Sequence, residues 1–325
     1  EFSSLLRSEP KAKLPQAARL YDWLLRPLEG SMASVRTLVV VPDGVIRTLP
    51  MGALHDGKRY VIENMAVATA PGLSMTRVAG QSTRTQTALV AGLAEPGPVV
   101  DKLSSTSLSS ILQPGSRGAR GLNGKADSDV PLTTRQVREA RDALSLPGVK
   151  LEVEALSQQL NSKPMLNGEF TLKSFSHSVG SGEYDIVHIA SHGVFGGSGA
   201  ESFILAHDDL LTMDKLQGLL RSDGLRKRPI RLLTLSACET AEGNERAPLG
   251  IAGAALKANA ETALGTLWPV EDNAATLIMQ RFYLGLGQSL GKAEALRRAQ
   301  LAAMADARFT HPFYWAPFII VGNWD

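Results

Sequence analysis

Apolar positions along the chain fall into two kinds of run. Short continuous stretches closed by turn residues read as buried strands, and apolar residues three and four apart read as helices. Thr37-Leu-Val-Val-Val41, before Pro42-Asp43-Gly44, is a strand of the first kind, and Val61 to Ala68 and Thr87 to Leu93 are further candidates. Tyr184-Asp-Ile-Val-His-Ile-Ala190 and Pro229-Ile-Arg-Leu-Leu-Thr-Leu-Ser236 lack alternation, the mark of central strands covered on both faces. Phe203 to Ala206 and Leu210 to Met213 make a hairpin, and Ala263 to Val270 and Phe318 to Val321 are the last strands.

Helical spacing begins at Leu14 to Leu28, where Pro27 ends the helix early. Thr133-x-x-Gln136 is a capping box that opens a helix with Val137, Ala140 and Leu144 on one face, stopped by Leu146-Pro147-Gly148. Val153, Leu156 and Leu160 align on the next helix, and Thr171 to Ser178 adds a short one. Leu216, Leu219 and Leu220 mark another, and Pro248 opens one through Lys257. Asp272 caps a further helix, and Lys292 to Met304 is the last. Strands alternating with helices predict an α/β fold with a mainly parallel sheet flanked by helices. From Glu95 to Pro131 the chain is rich in Ser, Gly and Arg, which reads as a long flexible loop.

Composition narrows the function classes. The 325 residues allow about two domains, or one large one. A net charge of +2 gives no general electrostatic case for direct nucleic-acid binding. One cysteine excludes an internal disulfide and a multi-thiolate zinc site. No apolar run reaches the roughly 18 residues of a membrane span. The start, without Met or a signal-peptide pattern, reads as a piece cut from a longer protein.

Open α/β sheets react at the carboxyl ends of their strands. One central strand runs into Ser191-His192-Gly193, the other into Ser236-Ala237-Cys238-Glu239. If these strands are adjacent and parallel, about 4.8 Å apart, an imidazole and the chain's one thiol meet across a gap that admits a peptide carbonyl. His192 would generate the thiolate and return the proton to a leaving amine, and Cys238 would attack. The Gly193 and Cys238 amides are the natural oxyanion donors. A buried structural thiol and a satisfied core histidine are the bland alternatives. His188 shares a strand face with His192, but two ligands without a third do not make a zinc site, and His188 is expected to pack or hydrogen-bond inside the sheet.

Tyr184 to Gly193 and Leu232-Leu-Thr-Leu-Ser-Ala-Cys-Glu-Thr240 resemble the two signature blocks of the CHAT family, caspase-like cysteine peptidases of clan CD related to separases. Leu38-Val-Val-Val-Pro-Asp-Gly44 with Leu49-Pro-Met-Gly-Ala-Leu54, Pro248-Leu-Gly250, Trp268-Pro-Val-Glu-Asp272 and Pro312-Phe-Tyr-Trp-Ala316 are similar to the family's other blocks. The resemblance implies a His192–Cys238 catalytic dyad and the Gly193 and Cys238 amides as oxyanion hole. It also implies a caspase-like fold with a degenerate caspase-like half at residues 1–147, which contains the 95–131 loop, and an active half at 148–325. Separases carry a Trp-Asp-Val-Thr-Asp block whose last Asp lines a pocket for a P1 arginine, which places Asp272 as a substrate-binding residue for a basic side chain. Capping of the following helix is the other role for Asp272, and Asp208 and Asp209 are a second acidic pair more suited to closing a hairpin strand. The expected partners are a protein or peptide substrate and a tetratricopeptide-repeat or other regulatory region. No cofactor and no metal are expected, and the protein is expected to be bacterial and cytoplasmic.

Gly287-Gln-Ser-Leu-Gly291-Lys292 resembles a P-loop but lacks its first glycine, and Ala293 stands where a magnesium-binding hydroxyl is needed. Three readings stay open: a cysteine endopeptidase gated by a missing region or partner, a catalytically silent scaffold binding partners through the same cleft, and an acyl transferase acting on a small substrate.

Overall fold

The computed structural model describes residues 6, 15–72, 86–112, 133–195, 202–222, 225, 228–236, 239–240 and 260–325. Its strands are β1 Thr37–Val40, β2 Ala66–Thr69, β3 Ala88–Gly92, β4 Pro164–Leu166, β5 Ile186–Ala190, β6 Gly193–Phe195, β7 Phe203–Leu205, β8 Leu210–Thr212, β9 Leu232–Ser236, β10 Glu239–Thr240, β11 Thr262–Thr266 and β12 Phe318–Gly322. The longer helices are α1 Pro15–Leu24, α2 Ser105–Ile111, α3 Thr134–Ala143, α4 Pro147–Gln159, α5 Leu172–Gly180, α6 Met213–Leu220, α7 Asp272–Gly287 and α8 Lys292–Ala305.

Eight strands form one sheet in the order β1-β2-β12-β11-β9-β5-β3-β4, and β10-β6-β7-β8 form a smaller one. In the large sheet every pair is parallel except β11 with β12. Strands β3, β5 and β9 are buried at every position, as their unbroken apolar runs predict. Alternate residues feed two separate cores. Ala88, Val90, Ile186, Ala190 and Leu232 join a cluster with α4, α7 and α8, while Leu89, Ala91, Val187, Ile189 and Leu233 join one with α3, α5 and α6. This period of two is the pleat of a sheet covered on both faces. The expected division at residue 147 falls at the start of α4, and strands from both sides of it lie in the one sheet, with β3 between β4 and β5.

The capping box forms as read. Thr133 accepts from the Gln136 amide, and Gln136 Oε1 accepts from the Thr133 amide at 2.9 Å. Helix α4 packs against β3 at Gly92, where a Cβ would lie 2.5 Å from Val153 Cγ2 and 2.9 Å from Val149 Cγ1. Glycine there lets helix and strand approach closely.

Three expectations need correction. The Ser-rich stretch read as loop is helical over Pro98–Lys102 and Ser105–Ile111, with Val99, Val100, Leu108, Ile111 and Leu112 buried. Its small polar residues hid the helical spacing of Leu108, Ile111 and Leu112, and the Ser104 hydroxyl caps the helix by accepting from Ser107 N–H. Positions 113–132 lie outside the described residues. Val61 to Asn64, read as strand, is a single helical turn that Glu63 secures by accepting from the Tyr60 amide at 2.6 Å; β2 begins only at Ala66. The cap of α7 is Glu271, which accepts from Ala274 N–H, and Asp272 is the first helical residue. The helix expected at Pro248 to Lys257 lies outside the described residues.

Candidate active site

Strands β5 and β9 are adjacent, parallel and in register from Ile186 opposite Leu232 to Ala190 opposite Ser236. Beyond them the chain changes sheets. β6 pairs in parallel with β10, with Glu239 opposite Val194 and Thr240 opposite Phe195. Three residues lie between Ala190 and Val194 and two between Ser236 and Glu239, so the His192 segment carries one extra residue between paired positions. Such an extra residue re-aims side chains at a strand end. Cys238 lies outside the described residues, but Ser236 and Glu239 on either side of it are each registered against the segment that carries His192.

His192 is buried, with 6 % of its surface exposed. Its backbone carbonyl accepts from Leu205 N–H at 2.9 Å, and the preceding Ser191 hydroxyl donates to Leu205 O at 2.7 Å, so β7 fixes this segment. The ring Nε2 lies 3.1 Å from the Leu144 carbonyl, at the end of α3. A carbonyl only accepts, so Nε2 carries the proton and Nδ1 of the neutral ring keeps its lone pair. Burial pushes the imidazole down to about 4, against a smaller upward pull from the Leu144 hydrogen bond. The ring is therefore neutral at pH 7, the state a general base requires.

The Leu144–Gly148 linker touches a second predicted residue. A Cβ at Gly148 would lie 2.5 Å from Asp272 Cβ, so Asp272 is packed against the start of α4, four residues from the carbonyl that holds His192. Asp272 is half-buried. Two of the late sequence blocks also meet, since buried Trp268 donates its indole N–H to Phe313 O at 3.0 Å. Asp208 and Asp209 serve the hairpin instead. Asp208 accepts from Leu172 N–H at 2.8 Å, and Asp209 pairs with Lys102 at 3.2 Å and Lys215 at 3.4 Å.

His188 and His192 reach different partners. His188 is fully buried, its Nδ1 3.1 Å from the Tyr283 hydroxyl, which donates to Thr234 Oγ1 at 2.9 Å. Its Nε2 is 3.0 Å from Glu152 Oε1, within ion-pair distance but off the hydrogen-bonding line. Sequence reading missed both this network and the Leu144 carbonyl. Glu152 had a signal: it stands among Val149, Val153 and Leu156 on the buried stripe of α4, where an acidic residue needs a partner. The backbone carbonyl had none. Among the described residues no three His, Cys, Asp or Glu side chains group as a metal site, and no helix is long and apolar enough to cross a membrane.

A family profile described as the CHAT domain matches residues 14–323. The chain belongs to the CHAT domain family. Among curated proteins, this CHAT domain is 22 % identical over 364 residues to tetratricopeptide repeat protein 28 of Homo sapiens and 24 % identical over 349 residues to that of Mus musculus. Each match covers 99 % of this chain but 14 % of the relative, so the chain spans about a seventh of their length. Among solved structures, the Arg specific cysteine proteinase gingipain R is similar with a TM-score of 0.51 and 9 % identity, over 91 % of this chain and 66 % of that one. The complex of Porphyromonas gingivalis RgpB pro- and mature domains gives 0.52 and 8 %, over 95 % and 68 %. At such identities the likeness concerns the fold, and the fold of this CHAT domain is caspase-like.

Proposed function

We propose that this CHAT domain is a cysteine endopeptidase with Cys238 as nucleophile and His192 as acid and base. The observation that carries the reading is the double registration of the two strand ends, Ala190 opposite Ser236 and Val194 opposite Glu239, around a buried neutral imidazole. In this scheme His192 Nδ1 takes the Cys238 proton, and the thiolate attacks the scissile carbonyl carbon. The Gly193 and Cys238 amides hold the oxyanion, each worth about 3 kcal/mol. The imidazolium then protonates the departing amine, leaving a thioester, and His192 deprotonates a water that releases the acid and restores the thiol. Asp272, beside the same linker that fixes His192, would receive a basic P1 side chain through a charge-assisted pair. The substrate is a protein or peptide, and a tetratricopeptide-repeat or other regulatory region gates the site.

The burial of His192 favours a second reading, a silent scaffold that binds partners through the same cleft, because an open peptidase exposes its base to substrate. The rate of Cys238 alkylation by iodoacetamide against pH separates the two. Fast alkylation well below pH 8 that is lost in His192→Ala supports the dyad, since an unassisted thiol ionises near 8.5. Equally slow alkylation in both proteins would overturn it in favour of the scaffold. With an activated thiol established, cleavage of arginine-first peptides must vanish in Cys238→Ala and fall in Asp272→Asn.

A further inference from the structure

The amino ends of the parallel strands, opposite the His192 end, border a cavity of about 700 Å3. Its apolar lining includes Ile186 and Leu232, the first residues of β5 and β9, and Leu290 in the turn between α7 and α8. Two cations reach it, Arg231 and Lys292. Lys292 is buried, with its ammonium on the Asp325 carbonyl. The Arg231 side chain is 19 % exposed and has one ionic neighbour among the described residues, Glu261 Oε2 at 3.8 Å. That distance is too long for a hydrogen bond, and Glu261 Oε2 is buried without one. The five guanidinium donors thus have no hydrogen-bond acceptor among the described residues, although the group lines a cavity large enough for a small molecule.

We infer that this cavity is a binding site for a small organic carboxylate, held at its anionic end by Arg231 and Lys292 and along its apolar body by Ile186, Leu232 and Leu290. The planar guanidinium fork fits a carboxylate with two parallel bonds. Glu261 and Asp325 offset part of the cationic charge, so one negative charge suits the site better than two. Burial and the adjacent Arg231 push the Lys292 ammonium down to about 8, a strain that a bound anion relieves. The site stands apart from the proposed peptidase cleft, because it sits at the other end of the same strands.

The test is an equilibrium titration of the whole chain with benzoate, 4-phenylbutyrate and decanoate, each beside its primary amide. At least one acid is expected to bind about tenfold more tightly than its amide, a difference near 1.4 kcal/mol. Arg231→Gln should abolish that preference. Leu284→Trp, at an exposed position on the cavity lip, should weaken acid and amide alike and keeps the test decisive if Arg231→Gln fails to fold. No acid preferred over its amide, a preference that survives Arg231→Gln, or binding untouched by Leu284→Trp would each overturn the inference.

Discussion

Replacing Gly148 by Ala puts a methyl carbon 2.5 Å from Asp272 Cβ and 3.1 Å from its Cγ. Carbon atoms prefer about 3.5–4.0 Å, so the start of α4 and the start of α7 must part by about 1 Å. Overpacking of this kind costs about 1–3 kcal/mol. Gly148 is helical, the second residue of α4, so the exchange also gains about 0.5–1 kcal/mol of helix propensity. The net expectation is a loss of about 1–2 kcal/mol. The clash is with Asp272 Cβ, which gives the argument a sharp second part. Asp272→Gly removes that carbon and should rescue Gly148→Ala, with a coupling of about 1–3 kcal/mol in a double-mutant cycle. Asp272→Ala keeps the carbon and should rescue little. Urea unfolding followed by tryptophan fluorescence reads this directly, because Trp268 and Trp315 are fully buried. Gly148→Ala as stable as wild type, or rescue by Ala equal to rescue by Gly, would refute the packing of Asp272 against this linker. The same shift reaches the Leu144 carbonyl, so a misplaced His192 should also show as slower Cys238 alkylation.

Three further outcomes follow from the geometry. The unfolded His192 ring titrates near 6.5 while the folded ring stays neutral to about 4, so the unfolded state binds the extra proton between those values and stability falls as pH drops through them. The loss approaches about 3 kcal/mol by pH 4, and urea unfolding of wild type against His192→Gln across that window should show it. Tyr283→Phe removes the hydroxyl between His188 and Thr234 and should cost about 1–3 kcal/mol, with part of that cost lifted in a Thr234→Val background, where one of the two orphaned partners is gone. Trp268→Phe should lower the thermal midpoint by removing the hydrogen bond to Phe313 O and leaving a cavity in a fully buried site.

The fold was legible where sequence pattern and burial agree. The strands β5 and β9 show no alternation because helices cover both faces, and the Thr133 box wrote the start of α3 in side-chain chemistry. Legibility failed where side chains gave the wrong emphasis. Serines concealed α2, although its two apolar residues, Leu108 and Ile111, hold it in the core, and an apolar dipeptide at Val61 suggested a strand where Glu63 makes a turn. At the candidate site, His192 was visible as a residue type at a strand end. Its orientation was not, because the group that orients it is the main-chain oxygen of Leu144, and every residue has one. The packing of Asp272 on Gly148 was hidden for the same reason, since a glycine names a space and not its occupant.

The change of sheet beyond β5 and β9 has a mechanical meaning. Two residues, 191 and 192, carry one strand from the eight-stranded sheet into the four-stranded one, and its neighbour β9 ends at Ser236 with β10 of the small sheet starting at Glu239. A tilt or slide of the small sheet against the large one bears on the short crossing at 191 and 192. The second residue of that crossing is His192, one of the proposed pair. A load applied at the outer strand of the small sheet, β8, therefore passes through β7 and β6 to the segment that carries His192.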